Sequence, residues 1–311
     1  MPSAASEPAI VVTGLEKHYG STHAVDGLTF DVAPGEVFGL LGPNGAGKTT
    51  TVEILEGYRQ ADAGTVRVLG LDPWRDGAQL RPRIGVMLQE GGLYPGLQPL
   101  ELLRLFAAYY DRPEDPAKLL DTVGLRDAIH NTVRRLSGGQ RQRLSLACAL
   151  IGNPSVVFLD EPTAGMDPRA RATTWQLVRD LAQRGATVLL TTHAMDEAEQ
   201  LCDRAAIVNS GRLAALGSPA ELTRRGTAEE IRITTSSRVD VPALASALCV
   251  NESDVLKQRS GEYIARAAGT PARIADLASF LRDHNVTLIS LQVGHSSLEE
   301  VFLRLTAEDT T

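Results

Sequence analysis

Three short strings carry residue types that phosphate chemistry needs. The first is Gly42-Pro43-Asn44-Gly45-Ala46-Gly47-Lys48-Thr49, which fits GxxxxGK[ST] at every fixed position. Glycines let backbone N–H groups turn inward around a phosphate, and a helix start adds partial positive charge. Lys48 can then reach β- and γ-phosphate oxygens, and the Thr49 hydroxyl can ligate Mg²⁺. The second is Val156–Asp160 followed by Glu161. Four apolar residues ending in a carboxylate put Asp160 at the C-terminal edge of a sheet, where ligands of α/β folds bind. Asp160 there can hold a Mg²⁺ shell, and Glu161 can orient an attacking water or accept its proton.

The third string is Leu136-Ser137-Gly138-Gly139-Gln140. It opens a helix whose predicted apolar face is Leu144, Ala147, Cys148 and Ile151, at i, i+3, i+4 and i+7. Such a start is a second anion site, with backbone N–H groups and the Ser137 hydroxyl as donors. The chain therefore carries two phosphate-binding helix starts but one lysine-bearing loop.

These strings need a scaffold, and the surrounding pattern predicts one. Val37–Leu41, Val156–Asp160 and Thr187–Thr192 are short runs apolar on both faces, which suits a parallel sheet covered by helices. A helix is expected from about Lys48 to Glu56. Ile10–Thr13, Leu28–Val32 and Val66–Leu69 fit a smaller antiparallel sheet, and Arg204–Asn209 with Arg212–Leu216 flank a Ser210-Gly211 hairpin turn. The middle reads as helices at Leu100–Tyr110 and Ala117–Val123, a helical subdomain spanning about 91–150. The texture changes near Gly217. Beyond it the pattern is strand, helix, hairpin, helix, strand (βαββαβ), the order of a ferredoxin-like unit, then a last helix from Ser297 with a capping box to Glu300. Two domains follow, 1–217 and 218–311.

Composition narrows the class. At 311 residues, with 43% hydrophobic and 22% charged residues, the chain is ordinary for a globular protein. A net charge of −7 disfavours a polybasic nucleic-acid binder. The longest apolar stretch, about Leu144–Ile151, is too short to span a membrane. The start, MPSAASEPA, reads as no signal peptide. Cys148, Cys202 and Cys249 form no CxxC pair, which fits a reducing cytosol. His284 and His295 are isolated and read as structural.

Leu-Ser-Gly-Gly-Gln placed between the lysine-bearing loop and Val156–Glu161 resembles the ATP-binding subunit of ABC transporters, over about residues 8–217. The resemblance implies an α/β P-loop NTPase domain with an antiparallel β subdomain and a helical insert, followed here by a small α+β accessory domain. It implies ATP and Mg²⁺ as cofactors and an ATPase coupled to transport. Tyr19, in Lys-His-Tyr-Gly, resembles the aromatic that stacks on adenine, and Gly42 to Thr50, with Thr50 closing the stretch, resemble the phosphate-binding segment. Thr49, Gln89 and Asp160 resemble the metal-shell residues. Lys48, Glu161 and His193 resemble the catalytic set, His193 by contact with the γ-phosphate. Leu136, Ser137, Gly138, Gly139 and Gln140 resemble the signature that faces the ATP of a second subunit, and Asp167, in Ala-Gly-Met-Asp, the aspartate that crosses that dimer.

The same resemblance implies a head-to-tail pair of subunits, here a second copy of the chain, docked at the cytoplasmic face of the cell membrane on separate permease subunits. The helical insert, about Gly91–Thr132, would supply the docking groove. The insert is too short for the coiled coil of DNA-repair relatives. A single cassette disfavours translation-factor relatives, and the tail disfavours iron–sulfur assembly ATPases. Gln89-Glu-Gly-Gly-Leu-Tyr-Pro, Ala-Gly-Met-Asp-Pro and Ser-Leu-Glu-Glu-Val-Phe-Leu-Arg-Leu-Thr look like the drug and antibiotic efflux type, the daunorubicin and tetronasin group. The alternatives are an importer ATPase with a C-terminal regulatory domain, as in methionine importers, and a soluble ABC ATPase outside transport.

Overall fold

The computed structural model describes residues 7–88, 91–225, 229–294 and 297–307. It divides into two compact units, Met1–Pro219 with Arg304–Thr311, and Ala220–Leu303. In chain order the first unit opens with β1 (Ile10–Tyr19), β2 (Thr22–Val32), β3 (Val37–Leu41), α1 (Lys48–Leu55), β4 (Ala63–Val68), the short α2 (Gly77–Leu80) and β5 (Ile84–Met87). Three helices follow, α3 (Pro99–Ala107), α4 (Pro116–Thr122) and α5 (Gly138–Leu150). Then come β6 (Val156–Asp160), α6 (Pro168–Gln183), β7 (Thr187–Thr192), α7 (Met195–Leu201), β8 (Arg204–Asn209) and β9 (Arg212–Gly217), with α8 (Pro219–Arg225) at the division.

Six strands form one sheet in the order β5-β6-β7-β3-β8-β9. The first five run parallel, and β9 returns antiparallel to β8. Every residue of β3 and β7 is buried, as expected for strands covered on both faces. A second sheet, β2-β1-β4, is antiparallel. Its apolar residues meet the large sheet in one core; Phe30 of β2 stacks on Phe38 of β3 with centroids 5.2 Å apart.

The helical stretch is fixed locally by its caps. Pro99 opens α3, where Gln98 and Glu101 complete a capping box, and the Asp115 carboxylate caps α4. In α5 the buried face is Leu144, Leu146, Ala147, Ala149 and Leu150, with Ile151 buried at the cap, whereas Cys148 is only partly covered. That corrects the narrower stripe expected from spacing, because α5 packs on both the sheet and the neighbouring helices.

The second unit runs β10 (Glu230–Thr235), α9 (Val241–Ala247), β11 (Val255–Arg259), β12 (Glu262–Arg266), α10 (Pro271–Asp283), β13 (Leu288–Gly294) and the start of α11 (Leu298–Ala307), which crosses the division at Arg304. Its sheet is antiparallel throughout, in the order β11-β12-β10-β13. Ile231, Ile233, Leu244, Tyr263, Leu277 and Leu281 build its core. The Tyr263 hydroxyl, fully buried, donates to the Val239 carbonyl at 2.8 Å and accepts from the Val239 N–H at 2.6 Å.

Other details also differ from the pattern-based reading. The strand at Ile10 extends to Tyr19, since pairing with β2 carries it past Gly14 through register shifts. The edge strand β5 is unanticipated: it has four residues, one of them Gly85, where a Cβ would lie 2.1 Å from the Ala149 carbonyl oxygen. At α11 the Ser297 hydroxyl does accept from the Glu300 N–H (3.3 Å), but the Glu300 carboxylate pairs with Arg232 instead of returning to Ser297. The last residues, from Arg304, group with the first unit, where Asn209 Nδ2 donates to the Leu305 carbonyl at 3.3 Å.

Candidate active site

Strand register assembles the site. Leu41, the last residue of β3, lies opposite Thr192 of β7, and Asp160, the last of β6, lies opposite Thr191. The lysine-bearing loop, Asp160-Glu161 and His193 therefore leave the sheet at one edge, the C-terminal one. Gln89, which follows β5, lies outside the described residues.

The loop's glycines answer to sterics. Gly47 has φ +98°, and a Cβ there would sit 2.2 Å from the Ala24 carbonyl oxygen; at Gly42 it would sit 2.4 Å from that of Val208. Gly45 also takes a positive φ, +82°. Gly47 is the N-cap of α1 and brings no side chain to its first-turn N–H groups. Lys48 is buried, with its ammonium donating to the carbonyls of Gly42 (2.6 Å) and Pro43 (3.0 Å). Burial lowers its pKa, while the Glu161 and Asp160 carboxylates pull it back up. Pro43 is half-buried, Asn44, Gly45 and Thr49 are exposed, Ala46 is buried, and Thr50 is half-buried.

The acidic pair is held tightly. Asp160 Oδ1 accepts a short hydrogen bond from the Thr191 hydroxyl. Glu161 has φ +48°, a left-handed backbone that side chains disfavour. Its N–H is fixed on Thr191 (3.1 Å to the carbonyl, 3.3 Å to Oγ1), and its carbonyl accepts from Gln142 Nε2 at 3.2 Å. This conformation presents the carboxylate to His193, with Nδ1 to Oε1 at 2.8 Å. Nδ1 is thus engaged, and the exposed ring keeps Nε2 for another partner.

Ser137 caps α5. Its Oγ accepts from the Gln140 N–H (3.2 Å), and Gln140 Oε1 accepts from the Ser137 N–H (2.9 Å). The cap uses a lone pair and leaves the Ser137 O–H as a donor. Leu136 is buried, and its carbonyl accepts from Arg141 Nη1 at 2.7 Å. Among the described residues no hydrogen bond joins Gly42–Thr50 to Leu136–Gln140. Asp167 caps α6, accepting from the N–H groups of Arg169 (3.0 Å) and Ala170 (2.9 Å). Tyr19 ends β1 with 43% of its surface exposed.

Comparison with known proteins decides the family. The family model described as ABC transporter matches residues 25–164. The Nod factor export ATP-binding protein I of Ralstonia nicotianae is 39% identical over 314 residues, spanning 99% of this chain and 97% of that protein. The chain belongs to the ABC transporter ATP-binding proteins. The daunorubicin/doxorubicin resistance ATP-binding protein DrrA of Streptomyces peucetius is 41% identical over 313 residues, 96% of this chain and 92% of that one. A solved ATP-binding subunit of an ABC transporter superposes with a TM-score of 0.64 at 28% identity, over 70% of this chain and 92% of that one. As an ABC ATP-binding protein the chain is an ATPase. Among its described residues no helix is long and apolar enough to cross a membrane.

Two supports of this ABC ATPase site escape motif reading. Gln142 lies two residues past the signature string and ties α5 to the Glu161 backbone. Buried Glu197 of α7 accepts from the Thr163 hydroxyl (2.7 Å) and from Trp175 Nε1 (3.1 Å), bracing the segment that follows Glu161. A Gln inside a helix and a Glu on a polar helix give no spacing signal.

Proposed function

We propose that the chain is the ATP-hydrolysing subunit of an exporter for drug- or antibiotic-like compounds. Each MgATP lies between the Gly42–Thr50 loop of one copy and the Leu136–Gln140 start of a second copy. The observation that carries this reading is the shared sheet edge, where Lys48, Asp160, Glu161 and the His193 contact at 2.8 Å converge. Export is supported by the two relatives described above, which align along nearly their full length, tail included, and are named for export or drug resistance.

Each residue has a task in this reading. Tyr19 stacks on adenine. Loop N–H groups and Lys48 hold the phosphates. The donor set for Mg²⁺ is all oxygen, a Thr49 hydroxyl and the Asp160 carboxylate with Gln89 beyond β5, which suits a hard cation that completes its shell with phosphate and water; the cation supplies charge neutralisation at the phosphates. Glu161 orients the attacking water and accepts its proton, while His193, held through Nδ1 against the Glu161 carboxylate, offers an Nε2–H donor to the γ-phosphate. Asp167, at the N-terminus of α6, meets the second copy. A separate membrane permease docks from the cytoplasmic face and selects the compound; nucleic acid has no part.

The test is capture of the permease. A tagged Glu161→Gln chain, solubilised from its host membrane in mild detergent with ATP, is expected to bring down a multi-span membrane protein and no solute-binding protein. Recovery of a permease with a solute-binding lipoprotein would shift the reading to import. Demonstrated ATP binding with no membrane partner would sink the transporter role.

A further inference from the structure

Two cations stand against the Tyr19 ring. Arg59, in the turn after α1, places its guanidinium carbon 5.3 Å from the ring centroid, and Lys17, two residues earlier on β1, places Nζ at 5.9 Å. Both distances lie within the range over which a ring's π face attracts a cation. Neither cation is loose. Arg59 Nε donates to Glu53 Oε2 at 2.6 Å, and its own N–H donates to the Glu53 carbonyl at 3.1 Å. Lys17 Nζ donates to Asp62 Oδ1 at 2.6 Å, and Asp62 Oδ2 accepts from the His18 N–H at 2.7 Å.

An aromatic ring at an exposed strand end has little to hold it, and ordering such a side chain during binding lowers affinity. Here Glu53 belongs to α1, the helix opened by Lys48. The Glu53–Arg59 pair thus references the ring to the phosphate-binding helix, and the Asp62–Lys17 pair references it to the β1 backbone. The geometry points to Arg59 and Lys17 as positioning residues that hold Tyr19 ready for the adenine base. This deepens, and rests on, the reading of Tyr19 as the adenine platform.

The test uses the full chain with two probes, MgATP and inorganic tripolyphosphate, which has phosphates but no base. Dissociation constants for both, with KM and kcat for ATP, are measured for wild type, Tyr19→Ala, Arg59→Ala and Arg59→Lys. Arg59→Ala should raise Kd and KM for ATP about two- to fivefold, the span expected of one exposed cation–π contact. It should leave kcat and tripolyphosphate binding unchanged, and Arg59→Lys should restore most of the loss. Equal weakening of both probes would show that Arg59 reads phosphate and would overturn the proposal. So would a lysine variant no better than alanine. Arg59→Ala without effect beside a damaging Tyr19→Ala would refute the positioning role alone. Tyr19→Ala without effect would refute the stacking reading, and this proposal with it.

Discussion

The two glycine-rich helix starts look alike in sequence and differ in what their glycines are for. At the start of α1, a Cβ on Gly42 or Gly47 would collide with backbone carbonyls, and Gly45 and Gly47 occupy positive φ. At the start of α5, a Cβ on Gly138 would meet nothing within 4 Å, and one on Gly139 only Met166 Cγ at 3.7 Å. Neither of these has positive φ. The first start is uncapped and backed by a buried lysine and two carboxylates; the second is closed by its own Ser137–Gln140 box. The fold of one chain explains the glycines of the first. It gives no steric reason for those of the second, which fits a requirement for close backbone approach by something outside the chain.

Substitutions can probe whether the two starts differ in this way. The largest effect should come from Glu161→Gln, which leaves ATP binding intact while turnover falls about 100-fold or more, the usual contribution of a positioned general base; unchanged turnover would remove Glu161 from the chemistry. Next, Gly47→Ala should destabilise the first unit by about 3 kcal/mol, from overpacking and a disfavoured backbone together. Gly138→Ala should shift stability by no more than about 0.5 kcal/mol and still depress turnover. Matched losses in a denaturant titration would erase the distinction between the two starts.

A third effect concerns the far end of α1. Glu56 is buried, and its pKa is raised from 4.5 to about 8, by burial first and then by Asp160 and Glu53. A carboxyl with a raised folded pKa holds a proton that the unfolded chain releases, so stability falls as pH rises from about 4.5 towards 8. Glu56→Gln removes that penalty. The nucleotide-free variant should therefore gain steadily on wild type as pH rises from about 5 to about 8. Parallel melting curves at both pH values would contradict the burial argument. Ser137→Ala should cost about 1 kcal/mol for a lost N-cap, seen as a modest drop in Tm.

Much of the first unit was legible because buried parallel strands announce themselves. Val37–Leu41, Val156–Asp160 and Thr187–Thr192 coincide with β3, β6 and β7. The four-residue β5 was not, since Gly85 answers to a tertiary contact with α5 that no local pattern records. The loop and the acidic pair were legible because chemistry fixes their residue types. Gln142, Glu197 and the Arg59 brace were not, because an ordinary polar side chain becomes a support only through its distance to a partner far along the chain.

In the proposed mechanism each ATP is held by two chains. A 1:1 mixture of Lys48→Ala and Gly139→Asp copies tests it directly. Half of randomly formed pairs are mixed, and each mixed pair holds one undamaged composite site, so the mixture should recover about a quarter of wild-type ATPase while each variant alone is inactive. No recovery on mixing, with both variants folded and able to pair, would contradict the account.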